Sequence, residues 1–388
     1  MPVRAKRSVT DRPYDHCSVE KQRKAIYWFS ISDQLGGAEL FALNVAVAAE
    51  ERTPIVIVAP PGAPIIERAR SLGIGTIEAQ LGPKLSKRNA LTAPWRYLLQ
   101  ARRFRMLVRN LSPHASHFVV HFQWETLLWL VSPREVGVTL IEHGPIPEPL
   151  VRLPLGRLAL KRVLARATSV FAVSDAAARS LQRITSRSFG RLPAGIWPER
   201  IDQARAASHE WRRQLAPRPD TMLVAYAGRV REDKGVLDLV RLAAARDDVV
   251  VAIAGEGDAM DDVKAYATRT GVAERVHLLG WLDDPLPVVA AADAVAFLSR
   301  EKGEGRPLVC LEAAALNIPV IGNANSQALV DFASELPGSC VLVADHETDS
   351  LSRALDTVIR LPRPREHALV SWRETAAVLT RAVAVPVR

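Results

Sequence analysis

Met222-Leu-Val-Ala-Tyr-Ala-Gly-Arg-Val-Arg-Glu-Asp-Lys-Gly235 holds the pattern that decides the fold. A near-continuous apolar, β-rich run ends at Gly228, the cations Arg229 and Lys234 follow, and a helical pattern starts after Gly235. A strand apolar on both faces belongs in a parallel sheet covered by helices on either side. The same unit recurs downstream, with strands expected at Val249–Ala254, Val276–Leu279, Ala294–Leu298 and Pro319–Ile321 and helical sequence between them. It also recurs upstream, with strands at Ala25–Ser30, Pro54–Ala59, His117–Phe122, Val138–Glu142 and Ser169–Val173, and helices at Ala38–Glu50 and Ile65–Leu72. Between the two series lies a polar stretch, Arg191–Asp220, carrying Pro193, Pro198, Pro217 and Pro219. The expectation is two doubly wound α/β halves joined by a Pro-rich connector.

The 388 residues agree with that division, since about 150 residues per domain predicts two or three domains. The expected boundaries are a flexible leader over 1–24, a first domain over 25–196 and a linker over 197–220. A second domain over 221–362 and a helix-like tail over 363–388 complete the chain. With 48% hydrophobic and 24% charged residues, the chain is not mainly disordered. Lys plus Arg number 51 against 42 Asp plus Glu, a net charge of +9 that favours anionic partners. Cys17, Cys310 and Cys340 cannot all pair and form no CxxC knuckle, which points to a reducing, cytoplasmic compartment. Cys310 and Cys340 read as small buried residues rather than nucleophiles. No apolar stretch is long enough to span a membrane, and the first residues lack a secretory core.

In an open α/β sheet, ligands bind beyond the carboxyl ends of the strands, so residues just after strands carry the function. Glu304-Gly-Arg-Pro-Leu-Val-Cys-Leu-Glu312 is the most informative such run. Pro307 suits a first helical turn, which frees the amides of Leu308 and Val309 for a phosphate at a positively polarised helix start. Glu304 falls on the preceding loop and Glu312 inside the helix. Fully helical, the segment would separate them by about 12 Å, enough for two carboxylates to grip hydroxyls at different places on one elongated ligand. The plainer alternative is an exposed Glu and a helix-surface Glu. Gly228, Arg229 and Lys234 place two cations at a strand's carboxyl end, which fits a pyrophosphate. Gly36-Gly37 lets backbone approach a ligand closely in the first strand-to-helix turn. His143, also just after a strand, suits a sugar hydroxyl or an acceptor.

Other chemistries lack their residues. Neither Gly36-Gly37 nor Gly255-Glu256-Gly257 makes a GxGxxG dinucleotide fingerprint, and there is no Walker A loop. There is no Gly-x-Ser-x-Gly elbow and no Asp-x-Asp clamp for a nucleotide-bound cation. His114, His117 and His121 do not read as a metal site, because the segment is apolar and offers no carboxylate pattern.

Gly36-Gly37, His143, Gly228-Arg229, Lys234, Gly255-Glu256-Gly257 and Glu304 with Glu312 resemble the retaining glycosyltransferases of family 4 over about Ala25–Ile321. The resemblance implies a GT-B fold: two Rossmann-like domains facing across a cleft, with the C-terminal helix (about Arg365–Ala384) crossing back to the first. It implies an enzyme that moves a sugar from a nucleotide diphosphate sugar to an acceptor hydroxyl with retention of configuration, without metal or other cofactor. By the same resemblance Glu304 contacts the donor sugar, Glu312 the ribose, and Arg229 and Lys234 the diphosphate. Gly36 and Gly37 line the cleft, His143 approaches the transferring sugar, and the Val276–Leu282 segment, with Leu282 and nearby Glu256, meets the base. Gly305, Pro307, Leu308 and Val309 complete the donor site. One departure stands out: Leu298-Ser-Arg-Glu-Lys-Gly-Glu-Gly305 has two extra residues before Glu304, which makes Glu301 a competitor for its role.

Between Lys84 and Asn110 the basic residues Lys84, Lys87, Arg88, Arg96, Arg102, Arg103, Arg105 and Arg109 meet no acidic one, and Trp95, Tyr97, Phe104 and Met106 are interleaved. A second acid-free run, Leu150–Thr168, adds Arg152, Arg157, Lys161, Arg162 and Arg166. Segments of this kind lie on anionic membrane surfaces, here to reach a carbohydrate, lipid-linked or small-molecule acceptor from the cytoplasmic side; a solvated helix face is the alternative. Rival functions are a sugar-nucleotide epimerase or hydrolase of the same fold, and a basic nucleic-acid-binding protein. The latter leaves the Gly-Arg and Glu-x7-Glu motifs unexplained. Base, sugar and acceptor are not encoded in any motif.

Overall fold

A computed structural model describes residues 24–32, 34–49, 53–81, 93–121, 123–131, 136–300, 304–361 and 369–384. Among them, strands β1 (Ala25–Phe29), β2 (Ile55–Ala59), β3 (Gly75–Glu78), β4 (Ala115–Val120), β5 (Val138–Glu142), β6 (Ser169–Ala172) and β7 (Gly190–Arg191) form the first sheet. Strands β8 (Met222–Ala227), β9 (Val249–Ala254), β10 (Val276–Gly280), β11 (Ala294–Phe297), β12 (Val320–Asn323) and β13 (Cys340–Val343) form the second. The first lobe's helices are α1 (Gly37–Ala49), α2 (Pro64–Ser71), α3 (Ala93–Leu111), α4 (Gln123–Leu128), α5 (Glu148–Arg152), α6 (Pro154–Arg166) and α7 (Asp175–Gln182). After α8 (Pro198–Leu215) come α9 (Val236–Ala245), α10 (Met260–Arg269), α11 (Leu286–Ala291), α12 (Leu308–Ala315), α13 (Gln327–Glu335), α14 (Thr348–Arg360) and α15 (Trp372–Val383).

Every strand pairing is parallel. The orders are β3-β2-β1-β4-β5-β6-β7 and β10-β9-β8-β11-β12-β13. Both sheets are doubly wound, and strand order reverses between β1 and β4 in one and between β8 and β11 in the other. Side chains alternate across each sheet as a period of two requires. Ile26 and Trp28 enter one apolar cluster while Tyr27 and Phe29 enter a second. Leu223 and Ala225 join the first cluster, whereas Val224 and Tyr226 join a third. The first cluster is therefore continuous between the lobes, passing through Ile201, Ala204 and Trp372.

Two differences from the sequence reading have local causes. The stretch expected as a linker over 197–220 is largely the 18-residue helix α8. Pro198 opens it, where a missing N–H costs nothing, and Arg212 ties it to Asp293 of the second lobe at 2.6 Å. The terminal helix begins at Trp372 rather than Arg365, and residues 362–368 fall outside the described residues. Ser371 starts it with a capping box to Glu374. The helix does cross back to the first lobe. Trp372 meets Phe41 of α1 edge to face at 5.2 Å, and Thr375 Oγ1 donates to the Pro193 carbonyl at 2.9 Å.

Candidate active site

The carboxyl ends of the strands flanking each reversal carry most of the residues singled out by sequence. After β8 come Gly228, Arg229 and Lys234, and after β11 come Ser299 and Glu304. After β1 come Gly36 and Gly37; His121 follows β4, and His143 follows its neighbour β5. Two parallel sheets thus present their ligand-binding edges to each other.

On the second lobe the Lys234 ammonium pairs with the Glu304 carboxylate, and Ser299 stands between them. Lys234 Nζ lies 3.3 Å from Ser299 Oγ, which donates to Glu304 Oε1 at 3.1 Å. Lys234 is 8% exposed, so this charge is held in one place. The loop carrying it is anchored from below, because the buried Tyr226 hydroxyl donates to the Arg229 carbonyl at 2.6 Å. Burial, with Glu304 nearby, pushes the Tyr226 phenol upward and keeps it a donor. Arg229 reaches across to Gln34 of the β1–α1 loop. The neighbouring loop after β9 presses so closely that a Cβ at Gly255 (φ +147°) would overlap the Gly228 carbonyl, which is why glycine stands there.

The two lobes touch at Gly305, where a Cβ would overlap the carbonyl oxygen of His143. The loop bearing Glu304 therefore lies directly against the strand end bearing His143. The His143 ring meets Phe41 edge to face at 5.1 Å, and its Nε2 pairs with His121 Nδ1 at 3.3 Å. Trp28 closes the other side of His121 at 5.7 Å. Desolvation lowers His143 to about 3 and, with His143 beside it, holds His121 well below the ordinary range. Both rings are neutral at pH 7, so one donates and the other accepts, and their tautomers are locked together. His117, on β4, instead bonds Thr139 Oγ1 at 2.9 Å, and burial lowers it to about 4.

Pro307 is the residue before α12 rather than part of its first turn, with an extended ψ of 116°. The helix starts at Leu308, so the amides of Leu308 and Val309 stand at its N-terminus. The stretch from Glu304 to Pro307 is not helical, and the 12 Å helical separation from Glu312 does not apply. Glu312 lies in α12, where desolvation pushes its carboxyl up to about 7; Arg200 opposes the shift and Asp284 adds to it.

The remaining candidates fall around this centre. The Gly36 amide is taken by the buried Glu39 carboxylate at 2.8 Å, while a Cβ on Gly37 would meet open space. Glu256 is exposed and accepts from the Val230 amide through its carbonyl at 2.8 Å. Beside it a groove of about 820 Å³ runs past Gly257, Met260, Leu278 and Gly280. Leu282 packs half-buried against the shared core. Glu301 lies outside the described residues, as do Lys84, Lys87 and Arg88. Sequence reasoning missed Ser299, Gln34, Tyr226 and the pairing role of His121. Ser299 alone had a signal, its place directly after a strand in the Glu304 run.

Residues 207–372 match the family model described as Glycosyl transferases group 1. The chain is similar to a D-inositol 3-phosphate glycosyltransferase of Actinosynnema mirum, 31% identical over 241 residues, which cover 57% of this chain and 55% of that protein. It is also similar to the lipopolysaccharide core biosynthesis glycosyltransferase LpsE of Rhizobium meliloti, 29% identical over 38% of this chain and 42% of the relative. The chain spans about half the length of these curated relatives. Among solved structures, Anabaena Alr3699/HepE in complex with UDP and glucose superposes with a TM-score of 0.73 at 16% identity, covering 94% of this chain and 100% of that one. Sucrose-phosphate synthase from Thermosynechococcus elongatus gives 0.68 at 19% identity, over 92% and 98%. The architecture is that of the two-lobed GT-B fold.

Proposed function

We propose that this chain, which carries a glycosyl transferases group 1 domain over residues 207–372, transfers a sugar from a nucleotide diphosphate sugar to an acceptor hydroxyl. The observation that carries this reading is the Lys234–Ser299–Glu304 cluster standing at one lobe's strand reversal, with Gly305 against His143 of the other. Lys234, Arg229 and the first amides of α12 supply positive charge where a departing diphosphate gains negative charge, the term that usually dominates such catalysis. Glu304 grips the sugar hydroxyls, and neutral His143 faces the same sugar from the first lobe. Glu312, largely protonated below about pH 7, both donates to and accepts from ribose hydroxyls.

In this proposal the configuration is retained and no metal is needed. The bond from the anomeric carbon to the phosphate oxygen breaks on the face where the acceptor oxygen attacks. The acceptor's proton passes to the departing phosphate oxygen, so no protein nucleophile is required. The test is incubation with UDP-, GDP-, ADP- and dTDP-sugars, with and without EDTA, scoring slow donor hydrolysis and the anomer formed. One donor consumed equally in both, with the α or β configuration preserved, supports the reading; strict manganese or magnesium dependence or an inverted product overturns the corresponding part.

The acceptor side includes a membrane surface. On α3, Leu98, Leu99 and Met106 are exposed at 58%, 60% and 56% beside exposed Arg102, Arg103, Arg105 and Arg109. Leu153, Leu155 and Leu158 are exposed around the start of α6. Among the described residues no helix is long and apolar enough to cross a membrane, so contact would be peripheral. Co-sedimentation with phosphatidylglycerol vesicles at low salt, lost in Leu155→Asp with Met106→Asp, is the expected result. Absence of sedimentation by the wild-type chain removes membrane contact from the proposal.

A further inference from the structure

A second cavity, of about 490 Å³, opens behind the Lys234–Ser299–Glu304 cluster, at the carboxyl ends of β12 and β13 and beside α9. Ser326 lines it, is 6% exposed, and its hydroxyl has no hydrogen-bond partner. A buried hydroxyl left unpaired is costly, and this one sits at the cap position of α13 without accepting the first-turn amide that a serine there ordinarily takes. Glu347, the cap residue of α14, makes no side-chain cap bond either, and it and Thr348 line the same cavity. Two helices of 9 and 13 residues thus begin at one space without a side-chain cap from their N-cap residues. The Asp345 carboxylate nevertheless lies at the start of α14, bonded to the Glu347 amide and the Ser350 side chain. First-turn amides carry partial positive charge and select anions.

Among the lining side chains, Arg241 and Arg300 stand against the carboxylates of Asp238, Asp345 and Glu347, and the positions of these charges matter more than their sum. Arg241 donates from Nη1 to Asp238 Oδ1 at 2.9 Å and Arg300 from Nη2 to Oδ2 at 2.6 Å, while His346 Nδ1 lies 3.1 Å from Oδ2. Both oxygens of the buried Asp238 are therefore engaged, and its charge is offset within the wall. The two guanidiniums remain 46% and 45% exposed and keep further donors for a planar or tetrahedral oxyanion. Asp345 and Glu347 are exposed at the rim, and Asp345 Oδ1 accepts from the Glu347 amide at 3.1 Å. We infer that this cavity binds a phosphate group, free or as a small phosphorylated sugar, with the Ser326 hydroxyl, the first amides of α13 and α14, and Arg241 and Arg300 as its donors.

The proposal is independent of the transfer reaction, and its test is direct binding to the full chain. Inorganic phosphate is titrated calorimetrically at low salt into the wild type, Ser326→Ala, Arg241→Gln and, as a donor-cleft control, Arg229→Gln. Saturable binding is expected that weakens about tenfold in each of the first two variants, the worth of one charge-assisted bond, and is unchanged in the third. Ser326→Ala should melt no lower than wild type, because it deletes an unpaired buried group, so lost binding there is not lost folding. Glucose 6-phosphate titrated in parallel separates the sources: tighter binding of the ester with the same Ser326 dependence assigns a phosphorylated sugar, and binding of inorganic phosphate alone assigns the free ion. No saturable binding of either, or loss in Arg229→Gln with Ser326→Ala and Arg241→Gln unaffected, overturns the inference.

Discussion

The two lobes are wired alike and furnished differently. Each is a parallel sheet whose strand order reverses once, and each turns that reversal toward the other. The second lobe fills its reversal with ions: Lys234 on Glu304, Arg229 and, one layer back, Asp238 between Arg241 and Arg300. The first lobe fills its own with neutral rings: His121 on His143, enclosed by Trp28 and Phe41. A charge works harder when the opposite wall neither screens nor competes with it. One fold used twice thus supplies a fixed field on one side and a neutral, shaped surface on the other.

The sharpest way to break that division is to remove the charge. Lys234→Ala should lower kcat about a thousandfold, about 4 kcal/mol of transition-state stabilisation, with far-ultraviolet circular dichroism unchanged. Turnover left intact under saturating donor would mean the second lobe's field is not what drives the reaction. Next comes the seam between the lobes. Gly305→Ala puts a methyl into the His143 carbonyl, so the lobes must separate or the Glu304 loop must shift, and a displacement of about 1 Å costs about a hundredfold in rate. Because the clash lies between lobes rather than within a core, its melting temperature should stay near wild type. A Gly305→Ala enzyme with normal kcat/KM would show that closure at this seam is not required.

Glu312 marks an exception inside the charged lobe, a carboxyl that burial holds up to about 7. Below the ordinary carboxylate range both folded and unfolded chains carry the proton, and nothing is lost. Between there and pH 7 only the unfolded chain ionises, so the folded state loses stability as pH rises, and above pH 7 the loss is complete. Glu312→Gln should therefore gain about 1–2 kcal/mol at pH 8, after discounting for its partial exposure, and nothing near pH 4. The same substitution should raise the donor KM about tenfold if the carboxyl holds the ribose. Equal melting curves for both proteins at pH 8 would place Glu312 in solvent.

The alternation of apolar strands and helices was enough to read both sheets, because strands buried on two faces leave continuous apolar runs. Strands lacking that signature went unread. β3, Gly-Thr-Ile-Glu, is a partly exposed edge strand, and β7 is only Gly190-Arg191. β13, Cys-Val-Leu-Val, carries the apolar pattern and was still not read as a strand, because four residues are too short a run to separate from a helix segment. Helix α8 was obscured by prolines that bound it instead of breaking it: Pro198 opens it, and Pro217 follows its end. At the site, residues placed just after strands were legible, which is how Lys234, Glu304 and His143 emerged. Their supports were not. Gln34 reaches Arg229 from 195 positions away and His121 reaches His143 from 22, and such contacts arise from strand order, which no local pattern states.

His121, His143 and His117 also give the first lobe its own response to acid. All three are lowered by desolvation, His117 to about 4 and His143 to about 3. Above about pH 6.5 they are neutral folded or unfolded and contribute no pH dependence. Below it the unfolded chain takes up protons that the folded chain refuses, so stability falls with pH, by at most about 2 kcal/mol per histidine at pH 5. Carboxylates losing their partners also weaken the protein in acid, so the slope of the wild type alone decides nothing. His121→Asn keeps a side chain able to donate or accept beside His143 and has no proton to take up. Its melting temperature should therefore fall less steeply between pH 6.5 and 5 than that of the wild type, even where it starts lower. Parallel slopes would mean that His121 is reached by solvent, and the contrast between a charged lobe and a neutral one would then hold only for the second lobe.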